Sequence, residues 1–585
     1  MKGAVRRCVS QAEVTQGLGT ARDPISTMES LVCRLLAGAA VVAVLVVASP
    51  ASAEEGPSFE DTVILEGSQL ADWASEHGLE GEGSASDPYR LSRCSFAAGF
   101  GLVDTEAHLL VEDCTIEGQG ELGNRSEVCE SSRCGENSAL LLAGVSNVTV
   151  RSSTMTHDGW EAVALVGASG VVLEGNTLQS PRLGLLAVES ANNTVEGNVL
   201  DGSFRLVRSQ ASLFTANTVR SDGLKASVKH GAGNTLQANT IAGETPLEVQ
   251  GSRATVLQGN EFDGGEVEVR VETGLGAGIF ALPTDVERPS APAIPDRSNR
   301  LADNTFTETS DLECSHADTW RIVGNRFLGA DGPSVTLAWD CSIVLADNTF
   351  EAGDIGVEAK DTPGRVVLEN NTFRDQAERG VVLRQGADGA RVANNTFHGH
   401  PSAGLRVENG DDVVVDGNEF EATDTAILLR GSRGTEITGN EVNATSVGLH
   451  LGDRTSGIEV TGNHLFAGAN GRSGSAIVID EDGADETLVY DNVIGDGGIG
   501  GQPGPRVEWN VSARDETNVI GGPSVGGNHW CAPGNFDADL DGFGEIPVGP
   551  DLADTLPLVP YPTVTPKSWL VFSSLVLRPT EICQP

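Results

Sequence analysis

The phrase LADNTF occurs at Leu301–Phe306 and again at Leu345–Phe350, with GNRF at Gly324–Phe327 midway between. The asparagine in each belongs to a longer series: Asn176, Asn198, Asn217, Asn239, Asn260, Asn304, Asn325, Asn348, Asn371, Asn395, Asn418, Asn440, Asn463 and Asn492. Most steps are 19 to 24 residues. The step from Asn260 to Asn304 is about twice that and carries the Pro-rich stretch PTDVERPSAPAIPD; the step to Asn492 carries NGRSGS. Three residues before every asparagine stands an apolar residue, from Leu173 and Val195 to Val489. Two residues after it stands another, from Leu178 through Phe306, Phe350 and Phe373 to Ile494. The chain is 39% hydrophobic, so two unbroken apolar columns are not a product of composition.

The pattern reads as strand, sharp corner, strand. Asn, and the Gly, Ala, Asp or Asn before it, sit where a corner needs the left-handed conformation that Gly and Asn tolerate best. Stacked corners let asparagine amides hydrogen-bond up the stack, while the flanking apolar residues point into a shared core. A period near 22 with short strands predicts an all-β parallel β-helix. Leucine-rich repeats need Leu at fixed positions that are absent here, and a propeller blade is about twice as long.

The remaining composition agrees. Aromatic residues are 5% and glycines number 72 in 585 residues, which suits short strands and tight turns. Residues 1–53 read as a secretory signal: Leu35–Val47 is apolar, Arg34 precedes it and ASPASA follows. The run is too short for a membrane span; the start is Met1 or Met28. Without these residues the chain carries 33 Lys+Arg against 80 Asp+Glu, a net −47. That charge opposes nucleic acid as a partner and an anionic membrane surface, and fits a secreted or surface protein in calcium-containing or salty surroundings. Eight cysteines remain. An even count in an exported chain implies disulfides with 105 possible pairings; by proximity the candidates are Cys129–Cys134, Cys314–Cys341 and Cys531–Cys583.

Three stretches resemble right-handed parallel β-helix proteins of the NosD-like, carbohydrate-binding and sugar-hydrolysis type: the asparagine repeat over Val150–Asp496, GLEGEGSASDPYRLSRCSF at Gly78–Phe96, and GGNHWCAPGNFDADLDGFGEIPV with DTLPLVP at Gly526–Pro560. The resemblance implies an N-terminal cap at 54–93, a right-handed β-helix at 94–520 and a closing segment at 521–585. It implies little about activity, because one fold serves lyases, hydrolases, epimerases and adhesins.

The candidate sites are few. DADLDGFGE places Asp537, Asp539, Asp541 and Glu545 at ligand positions of a calcium loop, with Gly542 at the turn and Val548 where the last carboxylate would stand. Asp551 or Asp554 is placed to supply that carboxylate; the alternative is an acidic turn. Outward residues on the coils form an exposed column of Glu358, Lys360, Arg384, Arg406, Glu408, Arg430, His450 and Asp480. A second group is Arg205, Arg208, Lys225, Lys229 and His230. Of these, Arg208, Lys225, Lys229, His230, Arg384, Arg406, Glu408 and Arg430 are the candidate substrate-binding residues. β-Helix lyases set Arg or Lys beside carboxylates to handle uronic acids; the competing reading is charge pairing between neighbouring coils. Asp411 and Asp412 resemble the paired acids of polygalacturonases, but the Gly-His-Gly and Arg-Ile-Lys motifs of that family are absent. A copper accessory role needs clustered His, Met or Cys, for which HGH at His398–His400 and HWC at His529–Cys531 are the tight candidates. Carbohydrate binding without catalysis is the reading these residues favour, ahead of a polysaccharide lyase or hydrolase, a structural adhesion protein and a copper accessory protein.

Overall fold

The computed structural model describes residues 56–118, 138–270 and 299–531, apart from short gaps at 222–223, 245, 308–309, 316–317, 340, 363–365, 469–472, 496, 502–506 and 523, together with 543 and 554–558. The signal segment, Cys129, Cys134, Cys583 and the acidic positions Asp537, Asp539, Asp541, Glu545 and Asp551 lie outside the described residues. Among the described residues no helix is long and apolar enough to cross a membrane.

The fold is a parallel β-solenoid of about 15 turns, roughly 23 residues per coil. A representative coil has three strands, Val366–Glu369, Thr372–Arg374 and Arg379–Leu383. Each pairs in parallel with its counterpart one coil on, at Arg391–Ala393, Thr396–His398 and Ala403–Glu408. We call these the first, second and third faces. Where Thr177–Val188 and Val199–Val207 run unbroken, the second and third faces join into one sheet.

The series of asparagines turns the chain from first to second face. The residue before each is left-handed, for example Asp347 (φ 56°), Asn370 (φ 56°) and Gly417 (φ 65°). Asn348 shows the bonding: its Oδ1 accepts the Asn325 backbone N–H at 2.9 Å, and its Nδ2 donates to Ile322 O and to Asn371 Oδ1, each at 2.9 Å. The column extends past the repeat at both ends. Asn528, in GGNHW, accepts the Asn492 N–H at 3.3 Å. At the other end Ser153 Oγ accepts the Cys114 N–H at 3.0 Å, and Cys114 is joined to Cys94 by a disulfide. A second, mixed column (Asn193, Ser212, Asn234, Thr255, Asn299) stands at the corner that returns to the first face.

Inside, Phe306, Phe327, Phe350, Phe373, Phe397 and Phe420 stack with ring centroids 4.4–4.9 Å apart. Offset stacking and near-complete burial make such a column a major part of the hydrophobic stabilisation. Glycines of the third face fit under these rings. A Cβ at Gly356, Gly380 or Gly404 would stand 2.6–2.7 Å from Phe373, Phe397 or Phe420.

The ends are covered. The helix Gln69–Glu76 buries Leu70 and Ala74 over the first coils, with Trp73 against Phe59 and Phe100. At the far end Trp509 is buried and Trp530 lies against it, donating its indole N–H to Asp554 at 2.9 Å. Asp554 also accepts the Asn528 N–H and is fully buried, so its carboxylate belongs to the closure. Cys314–Cys341 is bonded, as proximity indicated, and Cys531 is also in a disulfide. Cys94–Cys114 was not among the proximity pairs: its separation of 20 is one coil, which puts both sulfurs in the corner column.

Candidate ligand-binding face

Two columns of side chains project from the third face, because a strand presents alternate residues. One runs in register through Arg205, Ser227, Glu248, Glu268, Glu313, Thr336, Glu358, Val382, Arg406, Leu428 and His450. The other, two residues further on, holds Lys229 and Lys360, and further along Glu408 opposite Arg430. The single outward column read from sequence is therefore two. Glu358, Arg406 and His450 share the outward face with Lys360, Glu408 and Arg430 but stand two residues away along the strands.

The two candidate groups are apart. Lys229 and Lys360 are five coils from each other in register, about 24 Å at a strand spacing of ~4.8 Å. In the first group the cations are paired: Arg208 with Glu189 at 2.7 Å, Lys225 with Glu268 at 2.8 Å and Lys229 with Glu248 at 2.9 Å. His230 occupies a left-handed corner (φ 53°). Next to these pairs the sequence reading missed an acidic group. The carboxylate oxygens of Glu266, Glu268 and Glu313 lie within 4.8 Å of one another. Burial, a hydrogen bond that protonated Glu266 donates to Glu313 and the charges of Glu313 and Asp311 push Glu266 up to about 7. Burial also raises Asp311, with a smaller contribution from Glu313. Stacked like charges in register are unfavourable, and a shared proton relieves them. Alternating Glu in GGEVEVR, one coil before SDLECS, is the sequence signal for it.

The second group gathers more closely. Arg384 reaches Glu358 at 2.9 Å and Glu408 at 4.0 Å. Arg406 also pairs with Glu408. Beyond them Glu408, Asn409, Arg430, Gly431, Asp453 and Arg454 line a cavity of about 290 Å³. Arg430 and Arg454 make no ion pair with any described residue. His450 is bonded to Asp480 at 2.9 Å. Asp411 and Asp412 are corner residues: Asp411 accepts the Arg433 N–H and Asp412 is left-handed. They do not face each other across a groove of catalytic groups.

The family described as "Right handed beta helix region" matches residues 310–465, and that of the periplasmic copper-binding protein NosD matches residues 112–281. The two matches and the parallel solenoid together support a NosD-like right-handed β-helix protein. Similar solved structures include a periplasmic alginate epimerase (9% identity, 77% of this chain and 84% of that chain, TM-score 0.29). Others are the A-module of a mannuronan C-5 epimerase from Azotobacter vinelandii (13%, 70% and 88%, 0.29) and a family 28 exopolygalacturonase from Yersinia enterocolitica (10%, 62% and 73%, 0.29). No curated protein matches the chain.

The copper suggested by the NosD description does not fit the described residues of this β-helix. Met155 is fully buried in the core, and His157 Nδ1 accepts the Gly159 and Trp160 N–H groups. His400 is buried against Gln376 Oε1 at 2.7 Å, and burial lowers its pKa to about 4. His398 faces outward, 3.7 Å from Asp375. His529 Nδ1 bonds Leu558 O, and Cys531 is held in its disulfide.

Proposed function

We propose that the third face binds an anionic polysaccharide laid along the stack, in a secreted or surface-displayed protein without catalysis of its own. The observation that carries this reading is the pair of guanidiniums, Arg430 and Arg454, which have no ion pair among the described residues and stand beside the 290 Å³ cavity. With Arg384 and Arg406 they set four guanidiniums against three carboxylates, Glu358, Glu408 and Asp453, in a chain of net charge −45. Guanidinium binds carboxylate in a planar two-bond geometry, and the coil spacing suits one contact per sugar residue. Titration with polygalacturonate and alginate tests it. Binding is expected to weaken with salt and to be lost in Arg430→Ala/Arg454→Ala; absence of binding, or indifference to that change, refutes the reading.

A polysaccharide lyase or hydrolase is the second reading, favoured by one feature. Glu266, near-neutral in pKa, stands with Glu313 beside the Lys225 ammonium, which gives a proton donor and a cation in one place. Release of unsaturated or reducing ends from a polyuronate, abolished by Glu266→Gln, would establish it.

A further inference from the structure

We propose a separate binding site for an uncharged sugar residue at the corner between the second and third faces, in the coils from Thr156 to Arg220. A cavity of about 460 Å³ there is lined by Thr156, His157, Asp158, Gln179, Ser180, Pro181, Asp201, Gly202 and Arg220. It does not rest on the reading of the third face, and its groups are different ones.

The floor is one ladder. Thr156, Gln179, Asp201 and Arg220 stand in register on four successive coils of the second face. The wall comes from the HDGW excursion that follows Thr154–His157. His157 is fixed by the two N–H groups its Nδ1 accepts, at 3.0 and 3.1 Å. Ser180 is fixed by donating to Trp160 O and accepting the Arg182 N–H. The backbone closes tightly at Gly202 (φ 133°), where a Cβ would stand 2.3 Å from Ser180 O. A side chain there would push the two coils apart.

The charges are what distinguish this corner. On the third face most carboxylates and cations neutralise each other. Here the side chains of Asp158, Asp201 and Arg220 make no ion pair or hydrogen bond with any described residue, although Asp201 and Arg220 are ladder neighbours. Ser203, next to Gly202, is fully buried and its hydroxyl has no partner among the described residues. Unsatisfied buried hydroxyls are uncommon; this one belongs to the residue after Gly202, which lines the cavity. Two carboxylates accept hydroxyl hydrogens, one guanidinium donates two parallel bonds, and Gln179 and Thr156 do either. A ring bearing several hydroxyls satisfies this set. A uronate does not, because its carboxylate would meet Asp158 and Asp201 with only Arg220 to balance them.

The test is an array of neutral gluco-, manno- and galacto-oligosaccharides beside polygalacturonate, with the full chain and three variants. Binding of at least one neutral series is expected, reduced at least tenfold in Asp201→Asn and in Arg220→Gln. Both side chains are exposed and have no partner among the described residues, so folding is unaffected; thermal melts check this. Arg430→Ala/Arg454→Ala should leave neutral binding intact while abolishing polyuronate binding. No neutral oligosaccharide bound, or neutral binding unchanged in both cavity variants, overturns the assignment whatever the polyuronate arm shows.

Discussion

Asn348→Ala removes one rung of the corner column. Four hydrogen bonds go: two accepted, from Asn325 N and Nδ2, and two donated, to Ile322 O and Asn371 Oδ1. Their costs differ. Asn325 Nδ2 keeps Leu301 O, and Asn371 Oδ1 keeps the Asn348 N–H. The Asn325 backbone N–H loses its acceptor at a position 1% exposed, where water cannot replace it. An orphaned buried donor costs about 1–3 kcal/mol, and that sets the expected loss. Asn348→Ser discriminates this account from simple loss of packing. Ser153 fills the same column and accepts the N–H of the preceding coil through its hydroxyl, so serine at 348 should recover about half of the loss. Urea melts followed by circular dichroism give the midpoints, and hydrogen exchange at the Asn325 amide reports the bond itself. A neutral Asn348→Ala, or Asn348→Ser no better than alanine, would show that the amides decorate the corner without holding it.

Other expectations follow from neighbouring features. Phe373→Ala, which removes a ring stacked at 4.7 and 4.9 Å on its neighbours, should cost about 3–5 kcal/mol; an unchanged urea midpoint contradicts the stacked core. Glu161 is buried, and that burial raises its pKa from 4.5 to about 7. The folded state then binds the proton more tightly, so its stabilising contribution is full below pH 4.5 and lost as pH rises through about 7. The midpoint should fall from pH 5 to pH 8, and Glu161→Gln should flatten that slope. Lys225→Met strips the ammonium from Glu268, which is 3% exposed. The loss should be about 1–2 kcal/mol at pH 8, discounted because Lys225 is half exposed; an unchanged urea midpoint contradicts it. Calcium at Asp537, Asp539, Asp541 and Glu545 predicts that chelator lowers the melting temperature and opens the chain after Gly526 to protease; no change marks an acidic turn.

The solenoid was legible because its signal repeats: one asparagine with apolar residues at −3 and +2 survives insertions such as PTDVERPSAPAIPD. The same column was illegible where the chemistry changes letter. Cys94, Cys114 and Ser153 fill it with sulfur and hydroxyl, and Asn528 lies beyond the regular spacing. The mixed column of Asn193, Ser212, Asn234, Thr255 and Asn299 has no constant residue to find. Ion pairing was open in the sequence, because Lys225 and Glu268 are 43 residues apart and meet only through the register of two coils. The corner cavity left no signal that spacing could show. It depends on an excursion in one coil and on Gly202 in another.

The glycines beneath the phenylalanine stack tie these columns together. Three of the rings need bare backbone from a neighbouring strand: Phe373 from Gly356, Phe397 from Gly380 and Phe420 from Gly404. In those coils corner amide, ring and glycine form a matched set. Excising the 23 residues after Asn348, up to and including Asn371, would bring matching coils together and shorten the molecule by one step. Excising three residues from within a coil would break all the columns at once. Genes for such a chain can change its length in whole turns, so the spacing between its binding groups is quantised.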